Sequence, residues 1–544
     1  MTQKTTAAAI LDMLAALGVR TVYGLPGVHN MAFWRESAPD RPKITGVRHE
    51  QTAVYAADGL ARAGGGLGVA LTTTGPGAAN AVAAFGEAWA SGSPVLLIAS
   101  EVPSAFSSGP RTGTVHGVLH QSPDQAALFE PLAKAVYRPR DAQAAVAAVA
   151  DAARTALRHP RGPVYLDIPS DVLDRPAEPL PVLVQDEPPP PRQEQVNMLV
   201  AELTAAPRIV LWVGGGAIQS EAAHVVDMLA RRLGAPVVTS YGGRGVLPPD
   251  HPLLVGLPPH EPEVEDLIAK ADLLVALGTR FDGMMTRNWR MPMPDRLASV
   301  NCSAADLTGN YRPDVGVLGD VRTVVAAALD RLPGGDRTPY ADLEALRSDV
   351  WSRLAADDRT RTAVRLLDSV ERALPTGTRI VADMTISGYW YGSYGAVRRP
   401  RDLQYPVGWG TLGYALPAAI GAADAGGPVL ALVGDGGIMF ALGELATLAQ
   451  EGPPITVLLV DDGGYGVLRY DQEHAGHACH GVDLVAPHWL TLARSFGIEA
   501  AEVTDPGEPL QDTLATALRA GSPRLVVLRT TLTPPRTTSP RWFE

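Results

Sequence analysis

Two acidic clusters follow predicted strands in the last third of the chain. Residues 428–466 read PVLALVGDGGIMFALGELATLAQEGPPITVLLVDDGGYG. We predict a buried strand that runs into Gly434-Asp435-Gly436-Gly437, a helix to about Glu451, and a second buried strand that ends at Asp461-Asp462. Both clusters then lie at the carboxyl ends of parallel strands, where open α/β sheets bind ligands.

The residue types in these clusters are typical of a site for a phosphate and a divalent cation. Glycines at a strand-to-helix turn let backbone N–H groups approach a phosphate, and the helix N-terminus favours negative charge. Asp435 would repel a phosphate unless a cation lay between them, so it predicts a bridging metal, with Mg²⁺ expected because it prefers oxygen ligands. Asp462 is the expected second carboxylate ligand, and Gly464 can offer a backbone carbonyl.

Proline-rich stretches divide the chain into three parts. Residues 178–195 contain four consecutive prolines, and residues 332–339 are similarly poor in helix and strand formers. These stretches predict an N-terminal domain over residues 1–180, a central domain over 196–332 and a C-terminal domain over 345–535.

Each part alternates short β-branched runs with longer Ala- and Leu-rich stretches. This pattern predicts parallel sheets with crossover helices, so we expect an α/β protein of three consecutive doubly wound parallel-sheet domains. The predicted strands are GVALTTT and PVLLIAS in the first part, RIVLWVGGG, PVVTS, DLLVALGT and LASVNC in the second, and RIVADM, VLALVGDGG, ITVLLVDD and RLVVLRT in the third. Helices are predicted over residues 5–17 and 78–91.

Composition narrows the classes of partner and compartment. Lys plus Arg is 46 and Asp plus Glu is 58, so the net charge is 46 − 58 = −12, which disfavours nucleic acid or an anionic membrane surface as the main partner. The two cysteines have no CxxC spacing, which supports neither a disulfide framework nor a zinc site and fits a reducing cytoplasm. The longest apolar runs fall far short of the roughly 20 residues that a membrane span requires.

The acidic clusters also carry a family resemblance. GDG followed by 24 residues and a polar pair before Gly-Tyr-Gly resembles the thiamine-diphosphate motif of the acetolactate synthase and 2-oxo-acid decarboxylase superfamily. The family's usual pair is Asn-Asn, whereas this chain has Asp461-Asp462, which adds a negative charge beside the diphosphate. The cofactor-binding residues implied here are Gly434, Asp435, Gly436, Gly437, Asp462, Gly464, Tyr465 and Gly466, of which Asp435, Asp462 and Gly464 are the metal ligands.

Residues 47–80 resemble the family's pyrimidine-domain stretch and place Glu50 at the position of the catalytic glutamate. Glu50 would hydrogen-bond the pyrimidine N1′ and favour the imino tautomer, whose nitrogen removes the thiazolium C2 proton to make the ylide. The same resemblance places Pro26, Gly27, Thr73 and Asn80 near the cofactor. Because paired domains in this family complete each other's sites across a dimer interface, it implies a homodimer or homotetramer.

Residues 407–421, VGWGTLGYALPAAIG, resemble the element that bends the cofactor. By position, the Gly410 carbonyl would meet the exocyclic amine, and Leu412 would replace the usual methionine as the apolar wedge. Upstream, ADMTISGYW aligns with a diphosphate-contacting turn and places Thr385, Ile386 and Ser387 there, although the family's usual glutamines are missing.

Leu119-His120-Gln121 match positions where acetolactate synthases carry a Phe-Gln pair. Gln121 is retained and His120 replaces the aromatic residue, so an imidazole could transfer protons or hydrogen-bond a polar substrate there. A similar His-Gln placement is found in the carboxyethylarginine synthase branch. His116 is more readily explained as a surface or core histidine.

The central domain shows Gly214-Gly215-Gly216 after a predicted strand, but a glycine triplet alone does not identify a dinucleotide site. Flavin-binding acetolactate synthases carry a GMHG segment after their HPL motif, whereas residues 258–261 here read PPHE. The resemblance therefore implies a central domain without tightly held FAD.

The implied reaction is decarboxylation of a pyruvate-like 2-oxo acid on thiamine diphosphate and Mg²⁺. The resulting enamine would attack a second carbonyl compound, which makes the protein an acetolactate synthase-like carboligase. If a proton, for example from His120, reached the enamine first, the protein would be a simple decarboxylase that releases an aldehyde; a carboxyethylarginine-synthase-like variant is the other alternative. The presence of Glu50 argues against a catalytically silent homologue.

Overall fold

The computed structural model describes residues 4–106, 117–180 and 188–536, and these form three sheets in which every strand pairing is parallel. The central strands of each sheet are buried on both faces, which explains why they read as continuous apolar runs rather than alternating ones, whereas edge strands such as β2 and β16 are partly exposed. The predicted α/β architecture of three parallel-sheet domains is confirmed. No helix in the described parts of the chain is long and apolar enough to cross a membrane.

The N-terminal sheet has the strand order β2-β1-β3-β4-β6-β5. Its strands are β1 (Thr21–Gly24), β2 (Lys43–Gly46), β3 (Gly68–Thr72), β4 (Val95–Glu101), β5 (Ala135–Tyr137) and β6 (Val164–Pro169). Its helices are α1 (Thr6–Ala16), α2 (Met31–Arg35), α3 (Glu50–Gly64), α4 (Pro76–Asn80), α5 (Val82–Ala90), α6 (Ala142–Leu157) and α7 (Ser170–Leu173).

The central sheet has five strands in the order β11-β10-β9-β7-β8. They are β7 (Ile209–Val213), β8 (Val237–Thr239), β9 (Leu273–Leu277), β10 (Leu297–Asn301) and β11 (Val315–Leu318). The helices are α8 (Gln193–Ala205), α9 (Gly215–Gln219), α10 (Ala223–Leu233), α11 (Pro262–Ala269), α12 (Ala304–Thr308) and α13 (Val321–Leu329).

The C-terminal sheet repeats the strand order of the N-terminal sheet, as β13-β12-β14-β15-β17-β16. Its strands are β12 (Arg379–Ala382), β13 (Leu403–Gln404), β14 (Val429–Gly434), β15 (Ile455–Asp461), β16 (Glu499–Val503) and β17 (Arg524–Arg529). Its helices are α14 (Leu343–Ala356), α15 (Arg361–Ala373), α16 (Ile386–Tyr394), α17 (Ala415–Asp424), α18 (Asp435–Ile438), α19 (Leu445–Glu451), α20 (Gly466–His474), α21 (Trp489–Ser495) and α22 (Glu508–Leu518).

Two predicted helices are interrupted. The helix expected over residues 78–91 divides into α4 and α5 at Ala81. The helix expected from the GDGG segment to Glu451 is a single turn, α18, followed by a loop, a short 3-10 turn and then α19. The chain leaves the helix because the Phe440 carbonyl accepts a hydrogen bond from the Gln51 side chain and the Glu444 carboxylate accepts one from the Arg48 backbone N–H.

Helices α3 and α17 join the N-terminal and C-terminal sheets around a shared apolar core. Glycines at the crossing allow the two backbones to meet, because a Cβ on Gly59 would overlap the Ala418 carbonyl and one on Gly421 would overlap the Ala56 carbonyl. Polar contacts flank the crossing: Tyr55 pairs with Thr411, and a buried group links Tyr414, Asp58, Arg62 and Glu87. The crossing therefore fixes α3, which begins at Glu50, against the C-terminal domain.

Replacing Gly59 by Ala tests this crossing. The added methyl group would overlap backbone that cannot rotate away, so we expect a loss of about 1–3 kcal/mol and a lower thermal midpoint in calorimetry. Gly64→Ala is the matched control on the same helix, because nothing lies within 4 Å of its Cβ position and alanine favours a helix. Equal midpoints for the two variants would contradict the crossing.

Candidate functional site

The predicted acidic clusters leave the C-terminal sheet at the same edge. Strands β14 and β15 are parallel neighbours, with Gly434 paired to Val460. Asp435 therefore begins α18 beside the point where β15 ends at Asp461 and Asp462 follows it. The carboxyl-end placement predicted from the sequence holds for both clusters.

The two carboxylates at this edge are electrostatically unfavourable as they stand. Asp435 is 3% exposed, and its Oδ2 atom has no hydrogen-bond partner. Burial, together with the charges of Asp462 and Asp461, raises the pKa of Asp435 to about 7. Burial likewise raises the pKa of Asp462 to about 6, and Asp461 adds to this while Arg469 opposes it. A cation between Asp435 and Asp462 would remove this repulsion.

The neighbouring acid, Asp461, already has partners. Its carboxylate accepts hydrogen bonds from the Trp489 indole, the Arg529 guanidinium and the Gly463 backbone N–H. This leaves Asp462 as the acid of the pair that faces Asp435. No group of three or more His, Cys, Asp or Glu side chains within the described residues could hold a metal ion, so a cation here would need backbone oxygens besides two carboxylates.

Backbone oxygens are available in the turn after β15. Arg469 donates to the carbonyls of Asp462 and Gly463, at 3.0 Å each. The next carbonyl, that of Gly464, points toward the GDG loop and lies 3.4 Å from the Cβ position of Gly436. Gly464 has a φ of +152°, a conformation that favours glycine. Asp435, Asp462 and the Gly464 carbonyl thus form a set that could ligate a divalent cation.

Glycines let the chain pack closely around the GDG loop. A Cβ on Gly434 would lie 2.6 Å from the Thr385 hydroxyl oxygen, and one on Gly436 would lie 2.7 Å from the Tyr465 ring. A Cβ on Gly466 would overlap the Asp462 carboxylate. A larger residue would therefore not fit at these positions, and a glycine turn between a strand and a helix is the arrangement that binds phosphates through backbone N–H groups.

Helix α16 brings a further N-terminus to this edge. Thr385 is its N-cap residue, and Ile386 and Ser387 form its first turn. The Ser387 hydroxyl is buried without a hydrogen-bond partner. Unpaired buried hydroxyls are costly, so this group, like Asp435, fits a bound polar ligand.

Sequence reasoning missed Asp383, which organises this part of the site. The Asp383 carboxylate is buried and accepts from the Gly413 and Met384 backbone N–H groups. A Cβ on Gly437 would lie 3.0 Å from Asp383 Oδ2. Burial raises the pKa of Asp383 to about 6. The only sign of this role in the sequence is that Asp383 directly follows β12, because its contacts with Gly413 and Gly437 are between residues far apart in the chain.

On the N-terminal sheet, Glu50 begins α3 and is 7% exposed. Its carboxylate accepts a 3.0 Å hydrogen bond from the Asn80 amide, and its other oxygen is 3.2 Å from the Cβ position of Gly77. Thr73 lies against both Gly77 and Gly27, at 2.6 Å from each Cβ position. The structure therefore brings four predicted residues together here: Glu50, Thr73, Asn80 and Gly27. The fifth, Pro26, precedes Gly27 in the chain.

Gln125, which the sequence did not single out, holds the loop between β3 and α4. Its amide oxygen accepts from the Thr74 hydroxyl and the Gly75 N–H, and its NH₂ donates to the Ser100 carbonyl and the Tyr165 hydroxyl. This buried amide makes all four of its possible hydrogen bonds, and these bonds fix the loop that bears Thr73.

The predicted wedge lies in the loop between β13 and α17. Gly408, Gly410 and Gly413 all have positive φ, so this loop needs glycine at these points. Leu412 is half-buried between them. A hydrogen bond between the Tyr55 and Thr411 hydroxyls connects the loop to α3.

His120 and Gln121 lie beside the loop that Gln125 holds. The His120 carbonyl occupies the space where a Cβ on Gly75 would be, and the Gln121 amide accepts from the Val118 N–H. His116 lies outside the described residues. In the central domain, Gly214 and Gly216 allow contact with the backbone at Gly278, so packing within the chain accounts for the glycine triplet.

Comparison with known proteins agrees with this arrangement. Residues 4–128, 196–328 and 383–528 match the models of the N-terminal TPP binding domain, the central domain and the C-terminal TPP binding domain of thiamine pyrophosphate enzymes. A probable 2-ketoarginine decarboxylase of Pseudomonas aeruginosa is 36% identical, over 95% of this chain and 92% of that protein. The chain belongs to the thiamine-diphosphate-dependent enzymes.

Other members of this family are also similar along almost the whole chain. A probable acetolactate synthase large subunit of Methanocaldococcus jannaschii is 29% identical, over 96% of this chain and 91% of that protein. An X-ray structure from Mycobacterium smegmatis, assigned as a thiamin diphosphate-dependent enzyme, superposes with a TM-score of 0.82 at 25% identity and covers 98% of this chain and 100% of that one. The protein is thus a thiamine-diphosphate-dependent enzyme, a carboligase or a decarboxylase.

We call the sheet edge that carries Asp435 and Asp462 the acidic edge. Replacing Asp435 by Asn tests the repulsion between these two carboxylates. A carboxyl whose pKa is raised in the folded state binds its proton more tightly there, so metal-free protein is stabilised below about pH 7 and loses that stability as the pH rises. We expect Asp435→Asn to raise the thermal midpoint of metal-free protein at pH 8 and to abolish stabilisation by Mg²⁺ with thiamine diphosphate.

The exposed Asp358 provides the control, because Asp358→Asn removes a carboxylate whose side chain is 88% exposed. That variant should behave like the wild type in both assays. If Asp435→Asn retained the full Mg²⁺-dependent stabilisation, the proposed electrostatic pairing would be wrong.

Proposed function

We propose that this enzyme decarboxylates a 2-oxo acid with thiamine diphosphate and Mg²⁺. When bound, the cofactor supplies a carbanion that adds to the ketone and an electron sink for the loss of CO₂. The observation that carries this proposal is the pair of carboxylates at this sheet edge, a buried Asp435 with an unpartnered oxygen and a half-buried Asp462, at the glycine turn between β14 and α18.

The acidic edge would hold the metal and the diphosphate. Asp435, Asp462 and the Gly464 carbonyl would ligate Mg²⁺, which prefers such oxygen donors. Backbone N–H groups and hydroxyls around them would bind the diphosphate, and the residues that we assign to this role are Gly434, Gly436, Gly437, Tyr465, Gly466, Thr385, Ile386 and Ser387. Buried and unpartnered polar atoms on Asp435 and Ser387 support this assignment.

Glu50 would act as the acid toward the cofactor's pyrimidine ring. Its burial and its hydrogen bond from Asn80 support the role, because a fixed carboxyl in a water-poor site can hold a proton at one ring nitrogen. Pro26, Gly27 and Thr73 would line the same ring. The Gly410 carbonyl would accept from its exocyclic amine, and Leu412 would keep the two rings of the cofactor bent.

The donor acid and its product are the finer part of the proposal. The similarity to a 2-ketoarginine decarboxylase favours a 2-oxo acid with a guanidino or similar cationic side chain. Protonation after CO₂ loss would release an aldehyde, and His120 would be the proton source in that case. Carboligation to a second carbonyl compound is the other candidate, favoured by the similarity to acetolactate synthases.

We also propose that the enzyme is a homodimer or homotetramer with its sites at the dimer interface. Large apolar side chains near the predicted wedge and the GDG loop support this, since they are 43–51% exposed in the single chain: Trp89, Trp409, Met439 and Phe440. Trp89 and Trp409 already pack edge to face, with ring centroids 6.0 Å apart. An isolated chain would leave this surface in water.

Substitution of Glu50 by Gln tests the catalytic assignment. The amide keeps the size of the side chain but removes the proton that the acid exchanges, so we expect turnover to fall by about 10²–10⁴-fold. Binding of thiamine diphosphate, measured by calorimetry, should persist. Glu194→Gln, on the exposed first turn of α8, is the control. Unchanged turnover of the Glu50 variant with cofactor bound would refute the assignment.

A donor panel tests the substrate class. We expect the kcat/KM for 2-ketoarginine to exceed that for pyruvate by at least about tenfold, because a site that pairs with a cationic group rejects an analogue without it. CO₂ and products would be followed by mass spectrometry, with and without added aldehydes. A preference for pyruvate with acetolactate as product would instead establish the carboligase.

A further inference from the structure

A carboxylate from the C-terminal domain lies at the start of α3, the helix that begins with Glu50. Glu444 is 1% exposed, and its two oxygens accept from the Arg48 backbone N–H, at 3.0 and 3.3 Å from the nitrogen. Arg48 lies two residues before Glu50, in the turn that joins β2 to α3. The contact therefore connects the segment that follows α18 to the turn that carries Glu50.

The start of α3 has only a weak cap of its own. Its N-cap residue is His49, whose Nδ1 accepts from the Gln51 N–H at 3.2 Å. Helix N-termini leave N–H groups without partners, and the residues that usually cap them are serine, threonine, aspartate and asparagine. Among the described residues, no backbone carbonyl accepts from the Arg48 N–H. Glu444 thus supplies, from another domain, an acceptor and a negative charge that a helix N-terminus favours.

The Glu444 side chain is itself held in this orientation. The Thr447 hydroxyl, which is buried on α19, donates to Glu444 Oε2 at 2.6 Å. Glu444 is the N-cap residue of α19, yet its side chain accepts no backbone N–H of that helix. Burial raises the pKa of the Glu444 carboxyl, and the hydrogen bonds from Thr447 and Arg48 oppose this only in part. The carboxyl is therefore placed to accept from α3 rather than to meet solvent.

The same segment contacts α3 on the other side of Glu50 in the sequence. The Gln51 amide donates to the Phe440 carbonyl at 3.0 Å. Residues 440–444 thus contact the chain both before and after Glu50, whose own carboxylate accepts from Asn80. An acid that must reach one ring nitrogen needs a fixed backbone as well as a fixed side chain.

Resting on the proposed function, in which Glu50 is the acid toward the pyrimidine ring, we propose that Glu444 is a positioning residue for Glu50. Glu444 does not touch the reacting atoms. Its hydrogen bond with the Arg48 N–H fixes the turn before α3, and so the point at which the Glu50 side chain leaves the backbone. Because a displacement of about 1 Å at a reacting group can cost about 10²-fold in rate, loss of this bond should lower kcat.

Glu444→Ala, compared with the wild-type holoenzyme, tests the role in catalysis. We expect kcat to fall by about 10–100-fold, with at most about a twofold change in KM and in the affinity for thiamine diphosphate with Mg²⁺. Glu444→Gln should restore kcat to within about threefold of the wild type, because its amide oxygen can accept from the same N–H. A Gln variant as slow as the Ala variant would overturn the hydrogen-bond assignment.

Hydrogen exchange in cofactor-free protein tests the turn without turnover. Peptides that cover residues 47–55 would be followed by mass spectrometry. In Glu444→Ala, we expect the Arg48 amide hydrogen to exchange at least about tenfold faster, because its acceptor is gone. Thr447→Val removes the hydroxyl that orients Glu444 and should show a smaller change in the same direction, which provides the test if the Ala variant does not fold. Unchanged exchange in these variants would overturn the proposal.

Glu451→Gln is the matched control. Glu451 ends α19, the helix that Glu444 precedes, and it pairs with Lys43 on β2, so it also connects the C-terminal domain to the N-terminal sheet. This pair lies at the start of β2 rather than at the turn before Glu50, and the Lys43 side chain is 63% exposed. The variant should keep the kcat and the exchange rates of the wild type.

The outcomes separate this inference from the function on which it rests. A Glu50→Gln variant with full turnover would overturn both the acid assignment and the positioning role. If Glu50→Gln is impaired while Glu444→Ala keeps the kcat of the wild type, the positioning role alone is overturned.

Discussion

The repulsion between Asp435 and Asp462 is the constraint on which the rest of the site depends. A buried and a half-buried acid at one sheet edge are costly without a positive charge between them. The charge of Arg469 offsets this cost only in part, and Arg469 donates its hydrogen bonds to the carbonyls of Asp462 and Gly463 and to Asp483. A cation and a phosphate bound at this edge would explain three of its features: the glycines, the hydrogen-bonded Asp461 and the position of the Gly464 carbonyl. In this interpretation the protein stores an unfavourable interaction that its cofactor relieves.

The two outer sheets have one topology but contribute different chemistry. The N-terminal sheet carries Glu50, and the C-terminal sheet carries the acidic edge. The crossing of α3 and α17 connects them, because the loop with Gly410 and Leu412 leads into α17 while Glu50 begins α3. A change in this crossing would shift the acid and the wedge together, which couples the packing of the core to the geometry of catalysis.

Much of this could be predicted from the sequence. All ten predicted strands are present, because runs such as VLALVG are buried on both faces. The placement of Asp435 and Asp462 followed from the strand ends. The predicted helix after Gly437 is too long, because its apolar pattern continues through Met439 and Phe440 and tertiary contacts from Gln51 and Arg48 break it. Asp383 and Gln125 were missed for the same reason: their partners Gly413 and Gly75 lie far away in sequence.

Calorimetric titration of thiamine diphosphate into dialysed protein, with and without Mg²⁺, tests the central claim most directly. The account predicts tight binding only with the divalent ion, and weak or absent binding in the presence of a chelator, since Asp435 and Asp462 would otherwise repel the diphosphate. Equal affinity with Mg²⁺ and with chelator would contradict it, because the diphosphate would then bind without a cation between the carboxylates.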